Sequence, residues 1–404
     1  MITTGVSGNP WRAAVTPWGS VEPWDSTPPL NWYIAADDRW HVPANEPTVR
    51  QRRVEGTAVV ETRIRIPDGD AVQRVYSVAY APGFTVIEVE NESSMPIAIA
   101  FDRRDLRTER PVVDMPIEGI ELPPGSFVVP VGHRSSIRVA IAHDGSGAGA
   151  LPAGLPSAAE VVRGWNAVIQ QASTFSLPAG DRGSLLAEAV TGERCELALG
   201  GLAHADEDPA AFCLGLGELS RQGERLDPWL PELVAAVEHL GRIPGWDADV
   251  ALEAAGRVLR AAGEARAERD LDRIISRRGP LSAPPPDPPG GVRDIAWLEG
   301  RLARGTALLP EGMPPSWLGA NFEVNRIPIG RDSTVSYAIR WHGERPAVLW
   351  EITGEPQNLS APRMDPHWHT TEVSGEALWA VPHRVDLPEA APTAVPTQGD
   401  VSFS

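Results

Sequence analysis

Paired carboxyl groups beside tryptophan are the residues of this sequence best suited to chemistry. Hydrolysis of a glycosidic bond needs two carboxyls, one kept protonated as an acid and one ionised as base or nucleophile. Asp37 and Asp38 sit in AADDRWHVP next to Trp40 and His41. Asp206, Glu207 and Asp208 precede Pro209, and Asp247 and Asp249 follow Trp246. Glu344 and Glu351 flank the second half of RWHGERPAVLWE. Each cluster also has a plainer reading. An Asp ahead of a helix accepts a backbone N–H and meets the positive end of the helix dipole, which suits 206–208 and 247–249. Asp37-Asp38 suits a turn with an Arg39 ion pair. The catalytic candidates are Asp37, Asp38, Asp206, Glu207 and Asp208, with no role assigned to any of them.

Sugar binding leaves a different mark. An indole face stacks on the apolar face of a pyranose while nearby polar groups hold the hydroxyls. Tryptophan occurs 14 times against 4 tyrosines and 7 phenylalanines. The pairs that match are Trp40-His41, Trp246-Asp247 and Trp341-His342, the last followed by Glu344 and Arg345. These eight residues are the ligand-binding candidates. The bland alternative is that the indoles staple loops onto cores, their N–H groups finding carbonyls. For RWHGERP it is a buried Arg–Glu network that clamps a β-domain to helices.

Other chemistries are excluded or weak. All 36 basic residues are arginine, so Schiff-base chemistry and a P-loop lysine are impossible on this chain. No G-x-S-x-G elbow appears. Cys195 and Cys213 are the two cysteines, both in apolar helical surroundings, which suits buried free thiols. His367 and His369 could share a strand face, but no further ligand is identifiable, so no metal and no cofactor is expected. With 54 acidic residues and a net charge of -18, the chain is not built as a general nucleic-acid binder. The N-terminus lacks a charged-then-apolar leader, and no run reaches the about 18 apolar residues of a membrane span. The expectation is a cytoplasmic protein with no membrane partner.

The elements that must position these residues follow from periodicity. The fold class expected is α+β multidomain, with a hydrophobic content of 42% sufficient for sizeable cores. Residues 1–148 read as an N-terminal antiparallel β-sandwich. Val60, Thr62, Ile64 and Ile66 alternate with Glu61, Arg63 and Arg65, giving one wet face, and Pro67-Asp68-Gly69-Asp70 makes a turn. Residues 158–305 read as a helical-hairpin domain with about six helices and one more over 293–304. Apolar residues at helical spacing include Val161, Val162, Trp165, Val168 and Ile169. The run APPPDPPGG within 279–291 forbids a helix and predicts an extended linker. Residues 306–383 read as a C-terminal β-domain. Within it Ala347–Ile352 is apolar at most positions, as in a strand buried on both faces. Residues 384–404 are polar and Pro-rich and read as a disordered tail.

Two segments carry a resemblance. The run Ser336 to Glu351, SYAIRWHGERPAVLWE, is similar to a stretch near the C-terminus of several actinobacterial glycosidase-like proteins. Val161-Val162-Arg163-Gly164-Trp165 is similar to the first toroid helix of six-hairpin glycosidases. The resemblance implies a β-sandwich followed by an (α/α) toroid and a small C-terminal β-domain. The helical block here has about half the length of such a ring, so a partial toroid is implied, and no catalytic residue of the family maps onto a position.

The function expected is therefore binding of a glycan with little or no hydrolysis. The alternative is a non-catalytic scaffold that keeps a glycosidase-like fold, with a homodimer or protein partner covering the helix faces a half ring leaves open. One concave surface gathering a tryptophan with two carboxyl groups would favour the first.

Overall fold

A computed structural model describes residues 1–112, 117–279 and 281–380. The expected tail 384–404, residues 381–383 of the C-terminal region and Pro280 of the linker lie outside the described residues. The described chain is mixed α+β, with several antiparallel sheets and seven α-helices.

The N-terminal third holds three sheets: a three-stranded one (Ile2–Gly5, Arg12–Val15, Val21–Pro23) and two larger ones that share a core. One runs in the order Gly149–Ala150, Arg107–Thr108, Ser136–Ala142, Phe84–Asn91, Gly69–Val78, Val60–Ile66, Arg50–Arg53. The other runs Phe127–Val131, Ile97–Phe101, Trp32–Ala35, Trp40–His41. Inward residues at every second position, among them Ile64, Val75 and Ile87 on one sheet and Trp32, Ile34 and Ile99 on the other, form a shared core. The turn after Ile66 is where the sequence puts it, with Asp68 at φ 61° and Gly69 opening the next strand.

The outward face of Val60–Ile66 is not simply wet. Glu61 is only 2% exposed, roofed by Arg52, Arg63 and Arg74 at 3.0–3.1 Å. Burial opposes its charge, but the guanidiniums of Arg63 and Arg52 outweigh burial and hold the carboxyl below its usual range. Alternation identified the face; it did not show that cross-strand arginines would cover it.

The helices are α1 (Ala158–Ile169), α2 (Gly183–Ala198), α3 (Pro209–Arg221), α4 (Leu230–Leu240), α5 (Trp246–Ala261), α6 (Ala265–Arg278) and α7 (Arg293–Leu302). Ser157 and Glu160 close a capping box at the start of α1. Its apolar stripe is spent on a sheet rather than on a helical partner alone: Ala158 and Val162 pack on Tyr76, Val86 and Ala140 of the seven-stranded sheet. Trp165 and Ile169 reach Cys195 and Leu199 at the end of α2. The next helices gather around α3, whose residues Ala210 to Leu219 are all buried, as a helix enclosed on every side requires. A Cβ on Gly217 would stand 3.1 Å from the Ala254 Cβ, so this glycine sets the close approach of α3 and α5.

The C-terminal sheet runs Thr174–Ser176, Phe322–Pro328, Thr334–His342, Arg345–Thr353, Ser374–Leu378, all antiparallel. Its first strand comes from between α1 and α2, a pairing that three residues of sequence cannot announce. Arg345–Thr353 is buried on one face only: Pro346, Val348, Trp350 and Ile352 point in, and Leu349 is 41% exposed. The expectation of a strand buried on both faces is corrected, because Leu349 lies on a face that no helix or second sheet among the described residues covers. The inner face meets Trp297, Leu298 and Leu302 of α7, and the Tyr337 hydroxyl donates to the Leu302 carbonyl at 2.9 Å. Residues 281–291 hold neither helix nor strand, and the Trp297 indole donates to the Pro285 carbonyl, which ties this stretch down.

Candidate functional site

A cleft of about 720 Å³ opens beside α3. Its floor is apolar: Leu197 from α2, Phe212 and Leu219 from α3, and Ala236 from α4, all buried. Trp229 stands at one wall, 41% exposed, its ring edge-on to Phe212 at 6.3 Å and 72°. Pro228 and Pro231 bracket this tryptophan at the start of α4, where proline is tolerated because the first N–H groups lack helical acceptors. Glu232 and His239 are seven residues apart and share the face of α4 that carries Ala235 and Ala236. The opposite rim is the loop between α2 and α3. There the Glu207 and Asp208 N–H groups both donate to the His204 carbonyl, a tight turn that carries His204 and Asp206.

The rim is polar and unpaired. The side chains of His204, Asp206, Glu232 and His239 have no hydrogen-bond or ion-pair partner among the described residues. No arginine lines the cleft. Asp206 and Glu232 are exposed, so their charges face solvent across an apolar floor.

The other residues singled out in the sequence lie outside the cleft, and several are engaged structurally. Asp208 caps α3, accepting from the Ala211 N–H at 3.0 Å, and accepts from Arg293 at 2.7 Å. The Arg293 hydrogen bond holds its carboxyl below the usual range. Arg293 also donates to Asp247 at 2.8 Å, so one guanidinium joins the starts of α3, α5 and α7. Asp249 is held by Arg278 and by the Ser282 N–H rather than capping its own helix. Trp246 packs against the C-terminal core. Glu207 is exposed beside the cleft without lining it.

Asp37 and Asp38 form the turn of a hairpin closed by the Ala36 N–H and the Arg39 carbonyl. His41 is 2% exposed and bridges Asp38 at 3.0 Å and Glu46 at 3.1 Å. Its hydrogen bond draws the Asp38 carboxyl below the usual range. Arg39 spends its guanidinium on Glu46 at 2.7 Å, with Asp38 only at 3.9 Å, and Trp40 donates to the Glu118 carbonyl. In RWHGERP, Gly343 at φ 64° and Glu344 make the hairpin turn between His342 and Arg345. Arg345 donates to the carbonyls of Leu378 and Trp379, and Trp341 to that of Ala320. The clamp is thus within the β region and not onto the helices, because Arg345 faces the edge strand Ser374–Leu378.

The sequence reading missed Trp229, Glu232, His204 and His239. The signal was present in D-P-W-L-P, where a tryptophan between prolines at a helix start is poorly placed to be buried. It also missed a buried polar cluster. Arg194, 1% exposed, donates to Glu218 at 2.7 Å and to the Ser173 hydroxyl at 2.6 Å. Arg221 donates to both Glu218 and Glu299 at 2.7 Å. Burial opposes the Glu218 charge, but Arg221 and Arg194 outweigh it and hold the carboxyl far below its normal range. Arg257 stands beside this cluster without a hydrogen-bond or ion-pair partner, its Nε buried. These residues tie α2, α3 and α7 together and are shut away from the cleft.

Cys195 and Cys213 are buried and free, and burial pushes both thiols up to about 12. Among the described residues no group of three or more His, Cys, Asp or Glu could hold a metal ion, and His367 and His369 are both exposed. Among the same residues no helix is long and apolar enough to cross a membrane. No protein-family model matches the chain, and no curated protein matches it.

Proposed function

We propose that this chain binds a glycan in the cleft beside α3, with little or no hydrolysis. The observation that carries the reading is Trp229, a half-exposed indole wall, set in one concavity with the unpartnered carboxyls of Asp206 and Glu232. A pyranose presents an apolar face to an indole and hydroxyls to carboxylates and imidazoles, and this rim offers both. Hydrolysis is not favoured. A general acid keeps its proton through burial, and neither carboxyl is buried. In this reading the chain is a shortened relative of the six-hairpin glycosidase-like proteins: β-sandwich, partial helical toroid, C-terminal β-domain. The order of sheets and helices supports it, as does the strand hairpin formed by the RWHGERP segment.

Isothermal titration with a panel of oligosaccharides, alongside release of nitrophenol from aryl glycosides, tests the reading. Saturable binding that Trp229→Ala weakens at least tenfold, without turnover, is expected. No binding across the panel refutes it.

The scaffold alternative rests on a different surface. Leu349 and Leu378 are 41% and 45% exposed on the outer face of the C-terminal sheet. A self-associating chain would bury that face, and light scattering of the wild type against a Leu349→Lys/Leu378→Lys variant distinguishes the two.

A further inference from the structure

We propose that the ligand of this cleft carries a protonated amine, and that Asp206 and Glu232 select it. The inference rests on the glycan-binding reading and narrows it to amino sugars, such as unacetylated glucosamine oligomers. Its ground is the charge on the rim of the cleft. Arginines hold the carboxylates that join helix to helix, Asp208 and Asp247 by Arg293, Asp249 by Arg278, and Glu218 by Arg194 and Arg221, and none of these guanidiniums reaches the cleft. Asp206 and Glu232 are left without a cation, although the chain has 36 arginines and none lines the cleft.

A ligand entering here meets two carboxylates, the imidazoles of His204 and His239, an indole face and an apolar floor. A uronate or sulfated sugar would place like charges together with no guanidinium to separate them. A protonated amine gains from both carboxylates and, over Trp229, from the negative face of the ring. The sugar ring supplies the apolar footprint that a bare polyamine lacks. Because both carboxylates are exposed, the attraction is screened by salt, whereas indole stacking is not.

The experiment uses the full chain and three oligomers of equal length: glucosamine, N-acetylglucosamine and galacturonate. Each is titrated calorimetrically at pH 6, at 20 mM and at 500 mM sodium chloride. The expected result is about tenfold tighter binding of the amine than of the acetylated oligomer at low salt, a ratio that shrinks at high salt, with the uronate weakest. In an Asp206→Asn/Glu232→Gln variant, checked for an unchanged thermal melt, the amine-to-acetyl ratio falls to about one. Equal binding of amine and acetyl forms by the wild type overturns the inference and leaves the glycan reading standing. So does a preference that survives in the double variant, or tightest binding of the uronate. Binding of none of the three, nor of any neutral oligosaccharide, overturns the glycan reading itself.

Discussion

Replacing His143 with phenylalanine will flatten the acid side of this protein's stability curve. His143 stacks face to face on Trp11, ring centroids 4.0 Å apart and 7° from parallel. Its Nε2 lies 3.0 Å from the Thr85 hydroxyl, and its Nδ1 is buried without a partner. Gly83, at φ 104°, leaves room for this ring: a Cβ there would stand 2.5 Å from Nδ1. Burial disfavours the imidazolium, and the attraction of Asp25 and Asp144 does not compensate, so the folded-state value falls from 6.5 to about 4. The unfolded chain therefore takes up this proton near pH 6.5 and the folded chain only near pH 4. Stability is fully present above pH 6.5, is lost as the pH falls towards 4, and levels off below. Between pH 7.5 and 4.5 that amounts to about 1–2 kcal/mol from this one ring, which keeps some contact with screening solvent. Phenylalanine keeps a flat ring against Trp11 and cannot titrate. Urea unfolding followed by circular dichroism, at pH 7.5 and 4.5 for both proteins, gives the difference directly. The shared carboxylates cancel in the comparison. If the variant loses as much stability as the wild type between those two pH values, the buried-imidazole argument is wrong.

Arg194→Met will destabilise by about 3–5 kcal/mol, since it takes one of two guanidiniums from the buried Glu218 carboxylate and leaves the buried Ser173 carbonyl without this donor, and a shift in the urea midpoint reads it. Arg257→Gln removes a cation that has no partner and will leave the midpoint unchanged or raise it. Cys195 and Cys213, with thiols pushed up to about 12, will resist alkylation at pH 8 until urea unfolds the chain; fast native labelling of either would contradict their burial. Gly354 sits at φ 97°, where a Cβ would collide with the Asp332 carbonyl oxygen, so Gly354→Ala will lower the melting temperature. An unchanged melt there would sink that assignment.

Periodicity in the sequence determined most of the elements. The alternation of Val60 to Ile66, the runs Ile97–Phe101 and Phe127–Val131, and the helical stripes of α4 and α5 each became the element their spacing predicts. Capping chemistry was legible too, since an Asp followed by Pro209 reads as a helix start, and Asp208 is the cap. Composition alone excluded lysine chemistry.

Only the tertiary structure decided which faces meet. Periodicity says that a face is apolar, or that a strand alternates, but not what lies opposite. So Glu61 looked wet and is roofed by arginines, while Leu349 looked buried and is open. Thr174–Ser176 joins a sheet whose next strand lies about 150 residues further on, a pairing fixed by long-range packing and not by local propensity. The cleft is the same kind of object. Asp206, Trp229 and Glu232 come together because the loop before α3 and the start of α4 both pack beside the buried helix α3, and the cavity is whatever volume that packing leaves unfilled.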